Sequence, residues 1–325
     1  MLIAIKDRLH PVSHRPGVRC LVPGSTWALE AFPTLLRFYD LVSGKEKEVP
    51  LDVSGPVHPF TVEVDVDKCC VRVFGQGANG YMHFTITCVD GEIVVAPKNK
   101  AKARTLHSTE KLSLGANKAL DWDLVIRRRE MQEIFPQWVR LAASLPKIPE
   151  GSFSHPLVDV CQNAIEKKQK VEIVPAFLNL FEACFSGILV PSWTDERHQG
   201  LIPETYRPSK LSPLLLLQDG ARSIRSLFYR KESDHIYLLP CLPPEFHSGR
   251  FVGLDDFLDI EWSKKLIRRA VIRPKFDGPL HLHFQKEIRS FRMRTSLKDR
   301  GRRVERDEIV ACKAPRALYL DNFQK

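Results

Sequence analysis

The pattern of hydrophobic and polar positions changes period twice along this chain. Up to about residue 105, apolar and polar residues alternate, most clearly from Phe60 to Val66 (FTVEVDV). Similar runs occupy Leu35 to Val42, Cys69 to Phe74, Tyr81 to Cys88 and Ile93 to Ala96. Period-two alternation sends successive side chains to opposite faces of a strand. Between these runs, Asp90-Gly91 predicts a tight hairpin turn. The segment GQGANG (Gly75 to Gly80) also predicts a hairpin loop, because it lacks the Gly-Lys-Ser/Thr ending of a phosphate loop and no helical pattern follows it. Short strands at even spacing predict a β-sandwich.

From Asp121 the period lengthens. Trp122, Val125, Ile126, Met131, Ile134, Phe135, Trp138, Ala142 and Leu145 recur at helical intervals. Pro136 removes an amide donor and predicts a kink or two short helices. A second helix is expected near Ser154 as cap with Pro156 in the first turn. A third is expected from about Pro175 to Ser186, with Leu178, Phe181, Cys184 and Phe185 as its apolar stripe and Gly187 as its stop. Ser212-Pro213 opens a further helix carrying Leu214, Leu217, Ala221, Ile224 and Phe228 on one face, with Gly220 weakening its middle.

After Asp234 strands return: His235 to Leu239, Phe257 to Trp262, Leu266 to Ile272, Leu280 to Phe284 and Ile288 to Met293. On the second of these, Leu258, Ile260 and Trp262 are expected inside, with Asp259 and Glu261 in solvent. The expected fold is therefore α+β: two antiparallel β-sandwich regions flanking a shortened helical middle. The expected division is 1–105, 106–233 and 234–325, with a basic linker from Lys98 to Arg104.

One stretch carries a family likeness. The helix LSPLLLLQ (Leu211 to Gln218) precedes a strand IYLLPCLP (Ile236 to Pro243), then Ser248-Gly249, Gly253-Leu254 and a strand LDIEW (Leu258 to Trp262). This order resembles the C-terminal β-sandwich of glycoside hydrolases of the family 95 α-L-fucosidase type, over about a quarter of the chain. The resemblance implies a carbohydrate-linked, glycoside-hydrolase-like protein. That family holds its active site in a helical barrel between two sandwiches, and about 110 residues stand here for that region, too few for a full barrel. The family's stretch resembling Gln-x-Asp-x-Asn-Phe-Gly is replaced by GLIPETYRPSK (Gly200 to Lys210), whose sole carboxylate is Glu204. No catalytic residue carries over, and a non-enzymatic binding or scaffold protein built on the sandwiches is the alternative.

Glycoside hydrolysis needs two carboxyl groups flanking one bond. The densest candidate is WTDERH, where Asp195 and Glu196 are candidate catalytic carboxylates and Trp193 and His198 candidate sugar-binding residues. Glu204 is a further catalytic candidate, and an exposed charged loop has the same composition. His281 and His283 lie two apart on one strand face and could hold zinc with a third ligand. The spacing shows no third ligand, so they read as paired surface histidines and no metal is expected. No Gly-x-Ser-x-Gly elbow or HExxH motif occurs, and no cofactor is expected.

Charge and composition refine this picture. Apolar runs such as Leu214 to Leu217 are far too short to span a membrane. Met1 to His10 lacks the order of a secretory signal, so a cytoplasmic location is expected. The eight cysteines form no CxxC pair and read as buried free thiols of a reducing compartment. The net charge of +10 is concentrated between Arg289 and Arg316, where ten basic residues meet four acids. The interleaved acids and sparse aromatics argue for a solvated surface over a nucleic-acid partner. Lys298 to Asp307 is expected to be a mobile loop. The expected partners are a carbohydrate or another protein.

Overall fold

The computed structural model describes residues 3–6, 9–97, 104–115, 121–148, 155–185 and 212–325. Nine strands come first: β1 (Val12–Ser13), β2 (Val18–Leu21), β3 (Trp27–Ala31), β4 (Leu35–Asp40), β5 (Glu46–Pro50), β6 (Thr61–Asp65), β7 (Cys70–Gly77), β8 (Gly80–Val89) and β9 (Glu92–Pro97). They form two antiparallel sheets in the orders β1-β6-β7-β8-β9 and β2-β3-β4-β5. Cys20, Leu29, Leu36 and Phe38 of one sheet share a buried core with Val62, Val64, Val71, Val73 and Ile86 of the other. The alternation in β6 has this cause, since its even-numbered valines line the core. Both expected hairpins form. Val89 faces Glu92 across Asp90-Gly91, and Gly77 faces Gly80 across Ala78-Asn79. At Asp90 and Gly91 φ is +50° and +85°, the conformation that a two-residue turn of this kind requires.

Next come β10 (Lys111–Ser113) and five helices: α1 (Trp122–Arg128), α2 (Met131–Ser144), α3 (Pro156–Glu166), α4 (Lys170–Phe185) and α5 (Pro213–Phe228). Pro136 does not break the chain: α2 runs through it, and the break falls instead at Arg129, whose φ is +55°. Burial outweighs the lost amide here, since Phe135 and Trp138 on either side of the proline are fully buried. The cap of α3 is His155, whose Nδ1 accepts from the Leu157 amide, while Ser154 lies outside the described residues. α4 begins at Lys170, before the expected Pro175, with Ile173, Phe177, Leu180 and Phe181 buried. Ser212 caps α5 as expected, accepting from the Leu214 amide at 3.3 Å. Among the described residues no helix is long and apolar enough to cross a membrane.

Ten strands complete the fold: β11 (Tyr229–Glu232), β12 (His235–Leu238), β13 (Ser248–Leu254), β14 (Leu258–Ser263), β15 (Leu266–Ile272), β16 (Gly278–His283), β17 (Ser290–Arg294), β18 (Arg302–Glu305), β19 (Val310–Cys312) and β20 (Leu318–Gln324). Seven strands run in the order β10-β13-β14-β15-β20-β17-β18, and four in the order β11-β12-β16-β19. The fold is thus α+β, with sandwich regions flanking helices. One pairing departs from the antiparallel rule, because β12 and β16 run parallel. The helices meet the later sheets at an aromatic cluster in which Phe228 packs on Phe246, Phe251 and Trp262, and Phe246 on Phe135. Toward the earlier sheets, Arg140 of α2 donates to Asp67 and to the carbonyls of Ser108 and Glu110.

Two expectations need correction. Leu258, Ile260 and Trp262 are buried, but so is Asp259, with 3% of its surface exposed, and Glu261 is half-buried. Asp259 is tied to the Arg273 side chain and accepts from the Gly253 amide, which removes the cost of burying its charge. The segment Lys298 to Asp307 is not a loose loop either. Its charged run RRVE is β18, paired with β17, and it buries Val304 completely. The solvent-facing arginines conceal a single inward-pointing valine.

Candidate functional site

Trp193, Asp195, Glu196, His198 and Glu204 fall between residues 186 and 211 and lie outside the described residues. Among the described residues, a cluster of histidines and a carboxylate lies at one end of the sheet β11-β12-β16-β19. The β11–β12 hairpin turns through Ser233 and Asp234, with Ser233 at φ +57°. The His281 amide donates to the Asp234 carbonyl at 3.0 Å, which fixes this turn against β16.

The parallel register sets His235 beside His281 and Tyr237 beside His283. Four rings result in one ladder. The His235 and His281 centroids are 4.5 Å apart, His235 and His283 5.1 Å, and Tyr237 and His283 4.4 Å, all nearly coplanar in tilt. The Arg230 guanidinium covers the far face of the ladder, 4.7 Å from the Tyr237 centroid. His235 Nδ1 and His283 Nε2 are 2.8 Å apart, and His281 Nε2 is 3.2 Å from Asp234 Oδ2. Burial, then the neighbouring His235, His281 and Arg306, lower the His283 pKa from the usual histidine range. The paired histidines of the sequence therefore gain His235 and Asp234 as neighbours.

On the adjoining surface a groove of about 470 Å³ is lined by Asp234, Asp255, Asp277, Lys231, Lys275 and Phe276, among others. Phe276 is 83% exposed, the largest exposure of any large apolar residue described. All three carboxylates have partners in the fold, Asp234 through His281. Asp255 accepts from Arg225 at 2.5 Å and from the Tyr229 hydroxyl at 2.8 Å, and Arg225 also pairs with Glu110. Burial, then Asp255, push the Tyr229 phenol well above its ordinary range, so it stays a donor. Asp277 accepts from the Ala314 amide at 2.7 Å.

Sequence reasoning missed Asp234, His235, Asp255, Phe276 and Asp277. The repeated pattern His-Ile-Tyr and His-Leu-His was visible, but only the parallel register of β12 and β16 makes it one surface. No protein-family model and no curated protein matches this chain.

Proposed function

We propose that this chain is a glycoside-hydrolase-like, carbohydrate-binding protein that holds sugars in the groove beside Phe276 without hydrolysing them. The observation that carries this reading is the exposed Phe276 ring next to a groove of carboxylates and lysines. An aromatic face suits the apolar side of a sugar ring, and flanking charged groups suit its hydroxyls. A groove of this size falls in the range of roughly 300–1,000 Å³ common to small-ligand sites. The order of sandwich, helices and sandwich supports the same reading. Against hydrolysis, Asp255 and Asp277 are already committed to Arg225, Tyr229 and the Ala314 amide, and catalysis needs two carboxyl groups available to one bond. The seven described cysteines carry free thiols, which supports a reducing, cytoplasmic setting.

The test is calorimetric titration of the full chain with a panel of oligosaccharides, beside Phe276→Ala, and an assay of the same panel for release of reducing sugar. Binding that weakens at least tenfold in Phe276→Ala, with no turnover, supports the reading. Absence of glycan binding overturns it in favour of a protein-binding scaffold. Turnover by the parent chain overturns the non-hydrolytic half.

A further inference from the structure

We propose that Asp234, His235 and His281 form a binding site for a divalent transition-metal ion of the zinc type, with His283 as the positioning residue behind His235. The donor atoms are already gathered. Asp234 Oδ2 lies 3.2 Å from His281 Nε2, and Asp234 Oδ1 lies 3.8 Å from His235 Nε2. One ligand atom from each of the three residues falls within 4.8 Å of the others. Around a tetrahedral zinc ion with bonds of about 2.0–2.1 Å, neighbouring ligand atoms stand about 3.3 Å apart. The two Asp234–histidine contacts stand within about half an ångström of that spacing, and the stacked His235 and His281 rings, tilted by 14°, have to rotate for both Nε2 atoms to face one ion.

The backbone holds this geometry. His235 and His281 are direct partners in the β12–β16 register, and the His281 amide ties β16 to the carbonyl of Asp234 itself. Ligands on paired strands are placed more tightly than ligands on a loop. Behind them, the 2.8 Å contact between His235 Nδ1 and His283 Nε2 requires a proton on one of the two nitrogens. If Nε2 of His235 gives its lone pair to the metal, Nδ1 carries the proton and donates it to His283. A ligating imidazole ordinarily has such a partner for its second nitrogen.

Among the described residues a second cluster of this kind, His10, Glu63 and Asp65, differs, because the Arg72 guanidinium already bonds both carboxylates and takes the place a cation would occupy. Two nitrogens and one oxygen favour zinc or a neighbouring first-row ion over magnesium or calcium, which prefer oxygen. The three side chains are 30–42% exposed, so a fourth coordination position remains open to water or ligand.

The experiment titrates Zn²⁺ into the full chain against a chromophoric chelator, alone and as the His235→Ala/His281→Ala double variant. We expect one more tightly bound equivalent in the parent than in the double variant. His283→Ala should weaken that equivalent roughly tenfold or more without removing it, and His283→Gln, which can still accept from Nδ1, should restore much of it. Co²⁺ should give the intense visible absorption of a tetrahedral site in the parent and not in the double variant. Circular dichroism without metal checks that each variant is folded, and Asp234→Asn replaces the double variant if that protein does not fold. Superimposable Zn²⁺ isotherms for parent and folded variant, or a Co²⁺ spectrum that survives in it, overturn the proposal.

Discussion

Gly220 of α5 lies so close to Trp138 of α2 that a β-carbon built on it would stand 2.3 Å from the indole ring. The Trp138 Nε1 donates to the Leu217 carbonyl at 2.9 Å, which pins the ring over the glycine. A glycine that only weakens a helix when read along the sequence is thus the point where two helices touch. Replacing an exposed helical glycine by alanine stabilises by about 1 kcal/mol. Here the added methyl has no room, and overpacking costs typically 1–3 kcal/mol or more. Gly220→Ala should therefore lower stability by roughly 1–2 kcal/mol in urea unfolding. An alanine variant as stable as the parent, or more so, would show that Trp138 can swing aside.

Asp65 has no side-chain surface in solvent, and Arg72 and His10 both bond to it. Burial alone would raise its pKa, but the hydrogen bonds from His10 and Arg72 outweigh burial and hold the carboxyl far below its ordinary range. A depressed carboxylate contributes stability that is present above its unfolded pKa, about 3.9, and is lost as pH falls toward the folded value. Asp65→Asn leaves Arg72 short of a charged partner and should cost roughly 2–4 kcal/mol at pH 7. The gap between variant and parent should shrink steadily below about pH 4. A gap that stays constant from pH 7 to pH 3 would mean that the carboxylate's charge is not what holds β6 to β7.

Val304 is the one fully buried residue of β18, pairing with Phe291 across the β17–β18 hairpin. Val304→Asp puts an unpaired carboxylate into that site and should cost about 3 kcal/mol or more. In thermal unfolding of a chain this long, each kcal/mol moves Tm by about 2–4 °C. Arg303→Ala, on the neighbouring exposed position, should leave Tm nearly unchanged. Equal melting of both variants would return the segment to the loose loop that its charge suggested.

Much of the fold was legible because long strands bury one face. β7 alternates along most of its length, and Ser212-Pro213 announces α5 by cap chemistry alone. What escaped has physical reasons. β2 and β3 are nearly buried on both faces, so VRCL and WALEA show no alternation. β10 has three residues and reads as strand only because β13 receives it. β18 reads as disorder because three of its four side chains are charged. Asp259 reads as solvent-facing because its partner Arg273 comes from beyond the neighbouring strand β15. The histidine ladder needs residues some forty-six positions apart, brought level by a parallel register that no local pattern encodes.

The position of β20 also governs how the later sheet can be assembled on the ribosome. β15 and β17 are both synthesised before β20, yet neither pairs with the other, because β20 lies between them. Until residues 318–324 emerge, a nascent chain carries two unsatisfied strand edges, with Ala270 and Ile272 on one and Arg292 and Met293 on the other. Open edges of this kind invite pairing with other chains. Chaperone occupancy during synthesis should therefore persist over β15 to β19 and fall once β20 has been delivered.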